Sequence, residues 1–190
     1  MDPVPLIFST GWSSGVNAYL TVLLMGLLGR FAGVDSVPDQ LQSTEVILAA
    51  ALLFTIEFVA DKIPGVDSAW DSIHTAIRPT IGAVIGLLVA GDTQDLGDAI
   101  GATLGGTTAL LSHAVKAGVR LGVNLSPEPF SNIAVSFAED VTVFSVVGLA
   151  MAEPQVAAVI ALVLLLSGLW VVFVAVRLTR RLRQRSPSRR

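Results

Sequence analysis

The chain contains no cysteine and a single tyrosine, and only 14% of its residues are charged. Without cysteine, disulfides, thiolate catalysis and Cys-ligated metals are excluded. An ordinary soluble domain is about one-quarter charged, so the shortage of charge argues against a soluble enzyme, a disordered protein or a nucleic-acid binder. No Gly-x-Gly-x-x-Gly, Walker, His-Glu-x-x-His or Gly-x-Ser-x-Gly pattern occurs, and nothing else in the sequence identifies an enzyme, a cofactor or a metal. The start carries Asp2, Pro3 and Pro5 and no basic stretch. It therefore lacks the n-region of a signal peptide and is expected to stay in the mature protein. The alternating segments of roughly ten residues that mark a membrane barrel are missing too.

What is present is apolar. Of 190 residues, 53% are hydrophobic and 17 are glycine, and the mean hydropathy is +0.72. A membrane-crossing helix takes about 20 residues. The sequence thus predicts an all-α polytopic membrane protein of about six transmembrane helices. They fall near 13–31, 44–61, 77–91, 96–120, 131–150 and 154–178. Ser9 to Gly15 interrupts the apolar run ahead of the first span. Residues 66–77 read as a short interfacial helix after the second span, with Asp67 as N-cap and Trp70 suited to the membrane surface. Residues 1–178 form one integral membrane domain, and 179–190 a basic, disordered cytoplasmic tail.

Charge is unevenly placed. Residues 1–176 carry 15 acids against 5 bases, and the last 14 residues carry 7 arginines and no acid. Placing that tail inside, with Lys62, Arg78, Lys116 and Arg120, satisfies the positive-inside rule. This predicts a bacterial cytoplasmic (inner) membrane protein, multi-pass, with both termini cytoplasmic. The outer loops then hold Asp35, Asp39, Glu45, Asp92, Asp95 and Glu153.

The halves of the chain resemble each other. Gly11, Gly15 and Arg30 align with Gly101, Gly105 and Arg120 at a constant offset, and Thr55-Ile56-Glu57 aligns with Phe137-Ala138-Glu139. Two repeats of three helices, about 7–91 and 96–178, must be inverted, as in many transporters with a midplane site. The pairs Gly11/Gly15 and Gly101/Gly105 suit close helix packing, and Gly105-Gly106 a local break.

Ionisable groups within apolar spans cost several kcal/mol unless paired or hydrated. This singles out Glu57, Asp61 and Lys62, then Asp67, Asp71 and Arg78, then His113, Lys116 and Arg120, and finally Glu139 and Asp140, with Asn124 as a polar contact. Glu57 and Glu139 are pseudo-symmetric carboxylates able to bind a cation or carry protons. Arg78, Lys116 and Arg120 suit an anion or a phosphate headgroup. The structural alternative is a set of salt bridges that fixes helix packing. Asp67, Asp71, His74 and Arg78 share one helical face, either a solvated interfacial face or a site for a divalent ion.

Two stretches carry a family resemblance. The first is Glu57-Phe58-Val59-Ala60-Asp61-Lys62-Ile63-Pro64-Gly65-Val66-Asp67, continuing to Asp71 and Arg78-Pro79. The second is Ser112-His113 with Lys116 and Arg120, then Asn124 to Asn132 and Ser136 with Glu139-Asp140. With the opening Gly11-Trp12-Ser13-Ser14-Gly15-Val16-Asn17-Ala18-Tyr19-Leu20, the chain resembles the bacterial membrane family called domain of unknown function 4126, over about residues 7–175. The resemblance implies that these polar stretches are the family's signature and supplies no activity. Where many members carry Ala-Gly-x-Arg, this chain has Ser14-Gly15-Val16-Asn17.

The expected function is a small transporter or flippase binding a polar or amphiphilic anion between inverted repeats. A non-catalytic scaffold or assembly factor is the alternative, and a metal-dependent phosphotransferase using the Asp67/Asp71/His74 face a more distant one. Expected partners are membrane lipids and an anionic solute or lipid headgroup, with no nucleic acid. So short a chain is also compatible with a homodimer.

Overall fold

The computed structural model describes residues 2–63, 65–91, 97–124 and 129–185. Their regular structure is helical: α1 (Val4–Val16), α2 (Ala18–Ala32), a single 3-10 turn (Asp39–Gln42), α3 (Thr44–Ala60), α4 (Val66–Gly91), α5 (Asp98–Val123), α6 (Pro129–Ala152) and α7 (Pro154–Arg185). Val66–Gly91, Phe130–Ala152 and Pro154–Arg181 are each long and apolar enough to cross a membrane. Large side chains such as Phe137, Phe144, Trp170 and Phe173 point outward. An apolar exterior of that extent is one that lipid, not water, would cover.

The helices pack closely because they meet through glycines. On α4, Gly82 and Gly86 face Gly105 and Gly101 of α5, and a Cβ on any of the four would collide with backbone or with a small side chain opposite. On the other side of α5, a Cβ on Gly11 would lie 2.8 Å from the Gly105 carbonyl oxygen. Such small-residue faces let backbones approach where lipid offers no hydrophobic driving force. The Gly105-Gly106 pair introduces no break, and α5 runs through it.

The expected first span is not one rod. Asn17 is extended, at φ −147° and ψ 99°, and separates α1 from α2. It closes one helix with its N–H on the Ser13 carbonyl and caps the next by accepting from the Leu20 N–H. Along α1, Gly11 lies against Gly105, Gly15 against Ala109 and Ser112, and the Val16 carbonyl against Lys116. So α1 runs parallel to α5 and ends beside Lys116. The second arm goes back. Tyr19 meets His74, while Gly26 lies against Leu41 and Ile47, and Arg30 bonds to Thr44 at the start of α3. The start of α3 is the end far from Asp61, so α1 and α2 form a hairpin. Its tip, Asn17, reaches half-way into the bundle, and both open ends lie at the end of the molecule that holds Gly91 and Asp98. The arms have 13 and 15 residues, roughly 20 and 22 Å of helix, so each is too short for a hydrocarbon core of about 30 Å.

Further expectations are corrected. The separate interfacial helix does not exist: residues 66–77 are the first half of α4, which continues through Pro79. Proline removes one hydrogen bond, but neighbouring helices can hold such a helix together, and Arg78 is clamped on both sides of the position. The face bearing Asp67, Asp71, His74 and Arg78 is buried and not solvated. At the other end, α7 extends to Arg185, so the basic tail is helical for residues 179–185. Positions 186–190 lie outside the described residues, as do Asp92, Asp95, Pro64 and 125–128. The repeat partners Arg30 and Arg120 also differ. Arg30 sits on an exposed rim, bonded to Thr44 and the Gln42 carbonyl, whereas Arg120 is 1% exposed.

Candidate functional site

The twelve polar residues singled out above come together around the hairpin tip. The cluster is built from the last turn of α3, the first half of α4, the second half of α5 and the first half of α6. These four segments lie at the same end of the bundle, joined by the 61–65 and 124–129 connections.

Arg78 is fully buried and lies at the centre. Its Nη2 donates to Glu57 Oε1 at 2.6 Å, and its Nη1 to Asp71 Oδ1 at 2.9 Å. Nη1 also lies 2.8 Å from His113 Nδ1. Because an arginine can only donate, His113 Nδ1 must accept, so His113 is neutral and its Nε2–H points to the Thr75 hydroxyl at 3.1 Å. His74 is fixed in the opposite tautomer. Its Nδ1 lies 2.8 Å from the Trp70 carbonyl, which can only accept, and its Nε2 faces the Tyr19 hydroxyl.

Lys116 donates to Asp61 Oδ2 at 2.7 Å and to the Val16 carbonyl at 3.0 Å. It lies 3.5 Å from Glu139 and 4.0 Å from Glu57. Arg120 pairs with Glu139 through two nitrogens, at 3.2 and 2.6 Å. It also donates to the Asp61 carbonyl and to Asn132 and lies 3.7 Å from Asp67. Asn124 donates to both oxygens of Asp67. Asp67 in turn accepts from the Gly65 and Ser68 backbone N–H groups and so starts α4. Lys62 lies 3.6 Å from Asp140, donates to Ser136, and rests 3.1 Å above the Phe58 ring. It lies in the connection after α3, where partial burial pushes its ammonium below the ordinary lysine value and Asp140 opposes the shift.

The network is unbalanced. Among the described residues, six carboxylates (Glu57, Asp61, Asp67, Asp71, Glu139 and Asp140) face four bases (Lys62, Arg78, Lys116 and Arg120). With all of these ionised and both histidines neutral, the formal charge is −2. All four bases are already engaged. Among the described residues the spare capacity is mostly on the acid side: Glu57 Oε2, Asp61 Oδ1, Asp71 Oδ2 and Asp140 Oδ2 are buried acceptors without a hydrogen-bond donor, against one base nitrogen, Arg78 Nε, without an acceptor. The Asp67/Asp71/His74 face is likewise occupied, by Arg120 and Asn124, Arg78, and Tyr19 respectively.

Two cavities touch the network from different sides. One of about 250 Å³ lies among α1, α5, α6 and α7 and reaches Lys116 and Glu139. Another of about 160 Å³, between α4 and α5, reaches Asp71 and Arg120. The ion pairs stand between them.

Several participants were not apparent in the sequence. Trp12 and Ser14 support the site through backbone contacts: the Trp12 carbonyl accepts from Ser112, and Ser14 donates to the Arg78 carbonyl. Tyr19 and Thr75 hold the histidines. Asn17, noted only as a departure from a family pattern, donates to Asp140 Oδ1 at 3.0 Å. The visible signal was the density of polar residues between Ser9 and Tyr19 in an otherwise apolar run.

The sequence model of the family described as "Domain of unknown function (DUF4126)" matches residues 4–174. No curated protein and no solved structure matches the chain.

Proposed function

The chain belongs to the DUF4126 family, and we propose that it is a small membrane transporter whose buried ion network takes up protons or a cationic group in exchange. The observation that carries this reading is the surplus of buried carboxylates. Burying charge without compensation costs several kcal/mol per ion, so two uncompensated carboxylates inside the bundle favour uptake of positive charge. An anion, by contrast, would have to displace carboxylates from bases that, among the described residues, keep one buried nitrogen unpaired, Arg78 Nε.

In this reading the protein sits in the bacterial cytoplasmic membrane with the arginines of α7 inside. The helices α3 to α7 are then five crossings. The α1–α2 hairpin is re-entrant from outside and brings the amino terminus to the outer face, opposite the carboxyl terminus. Irregular backbone such as Asn17 is tolerated at membrane depth where protein surrounds it. Glu57 and Glu139 enter the network on antiparallel helices, α3 and α6, as an inverted relation between the halves requires, but α1 and α5, matched through Gly11/Gly15 and Gly101/Gly105, run parallel. The cavities on two flanks supply access from two directions.

In proteoliposomes with an imposed pH gradient, the wild type is expected to collapse the gradient faster than empty vesicles. Glu139→Gln and Asp140→Asn should each slow this at least about tenfold, a barrier change of about 1.4 kcal/mol, while eluting as folded protein. Equal flux with and without these carboxylates contradicts the proposal. The scaffold reading draws on the carboxylate partner that each of the four bases already holds. It predicts that Glu139→Gln lowers folded yield and that the wild type has no flux to lose.

A further inference from the structure

We infer that Asp140 is the carboxylate on which the network takes up a proton, at its Oδ2 oxygen. The inference rests on the transport reading above and names the residue that carries the proton.

The six acids are held unequally. Glu57 and Asp71 accept from Arg78 at 2.6 and 2.9 Å. Asp61 accepts from Lys116 at 2.7 Å, and Glu139 from two nitrogens of Arg120. Asp67 accepts from two backbone N–H groups and twice from the Asn124 amide. Among the described residues, Asp140 accepts a single hydrogen bond, at 3.0 Å from the neutral Asn17 amide. Lys62 stands 3.6 Å away, beyond hydrogen-bond length, and Oδ2 has no donor. A hydrogen bond from a charged donor to a carboxylate is roughly twice as strong as one between neutral groups. Neutralising Glu57, Asp61, Asp71 or Glu139 weakens such a bond, and neutralising Asp67 weakens four bonds at the start of α4. Asp140 gives up least, while burial disfavours its charged form.

Asp140 is also within reach. Its side chain is 12% exposed and that of Lys62 20%, against 6% or less for Glu57, Asp61, Asp67 and Asp71. On α6 it lies one turn from Phe137 and Phe144, both exposed, whereas Glu139 turns to Arg120.

Few charges surround it. Lys62 comes from the connection after α3. Lys116 of α5 and Asp61 act from farther off, with opposite signs. The hairpin presents the uncharged Asn17, and α7 has no acid or base before Arg177. Lys62 is therefore the group that sets the pH at which Asp140 changes charge. Uptake on Oδ2 leaves Asn17 on Oδ1, takes the formal charge of the network from −2 to −1 and releases Lys62 from its pair. The proton comes from water and returns to water, and no bond but the O–H forms or breaks on the protein. Because Asn17 is the hairpin tip, the acid that changes charge is also one that ties α6 to the hairpin.

The test uses full-length protein in lipid nanodiscs and dicyclohexylcarbodiimide, a lipophilic reagent that couples to protonated carboxyl groups and leaves a stable N-acylurea. Peptide mass spectrometry locates the adduct. Asp140 is expected to be the labelled acid of the network, with labelling lost as the pH rises. The Lys62 cation favours the carboxylate, so Lys62→Gln should move the labelling midpoint to higher pH. A shift of at least about one unit is expected, a tenfold gain in proton affinity, while Lys62→Arg keeps the wild-type midpoint. Both changes fall on the partly exposed pair, away from Arg78. Absence of an adduct on Asp140 at every pH overturns the inference, as does a Lys62→Gln midpoint equal to that of the wild type. Proton flux is measured on the same proteins in vesicles. Wild-type flux with Asp140 unlabelled removes the residue assignment alone, and a labelled Asp140 without flux removes the transport reading and leaves the proton site.

Discussion

Replacing Arg78 by methionine is expected to remove the folded protein. The side chain is fully buried and holds Glu57 at 2.6 Å and Asp71 at 2.9 Å, so its loss leaves two carboxylates facing each other in a low-dielectric interior. Breaking a buried ion pair by deleting one partner costs about 3–5 kcal/mol, against total stabilities of about 5–15 kcal/mol for folded domains. Here two pairs are broken at once, and the His113 contact is lost as well. Lysine is a poor replacement because a single ammonium cannot reproduce the planar fork that reaches both acids. Size-exclusion chromatography of solubilised membranes should show Arg78→Met as aggregate or absent. The double variant Arg78→Met, Glu57→Gln should recover part of the monodisperse peak because it removes one stranded charge. A monodisperse Arg78→Met with the wild-type melting midpoint would show that the network does not hold the bundle.

The second large effect is topological and all-or-none. The natural chain has no cysteine, so any cysteine introduced is the sole reporter for a membrane-impermeant maleimide. Val4 and Phe31 are exposed near the open ends of α1 and α2, and Ile63 is exposed in the connection after α3. Val4→Cys and Phe31→Cys should label from one face of the membrane, and Ile63→Cys from the other. A single helix across 13–31 predicts instead that Val4 and Phe31 label from opposite faces. Labelling of Val4 and Ile63 from the same face would remove the re-entrant hairpin.

These two results bear on what the sequence could and could not tell. The helical segments of α3, α6 and α7 are legible because each is a long apolar run bounded by Ser43, Pro129 or Pro154, residues that favour helix starts. The hairpin is not legible. Its break is the single residue Asn17, and hydropathy averages over it to give one apolar run of span length. Direction is decided by contacts far apart in sequence, Gly11 on Gly105 for one arm and Gly26 on Leu41 for the other. Pro79 misleads in a different way. Proline ordinarily marks a helix end, but the ion pairs of Arg78 and the glycine face of Gly82 and Gly86 keep α4 continuous across it.

The site was more accessible to sequence reasoning than the topology. Charge is so costly in an apolar bundle that each ionisable residue in a span must find partners, and the eleven ionisable residues that this singles out converge, with Asn124 beside them. Which base meets which acid was not predictable. Glu57 and Glu139 had been matched as symmetric carboxylates, and each does enter the network on an arginine: Arg78 for one, Arg120 for the other. Arg78 directly follows the segment 66–77 that the sequence presents as an interfacial helix. The surplus of acids became visible only when the members of the network could be counted.

That surplus is the central claim, and infrared difference spectroscopy of the reconstituted protein tests it most directly. Acidified from neutral pH, the wild type should gain the carbonyl stretch of protonated carboxylic acid, shifted by deuterium exchange, as the surplus acids take up protons, and the band should be diminished in Asp140→Asn. A spectrum in which no carboxyl of the network gains a proton as the pH is lowered would contradict the account.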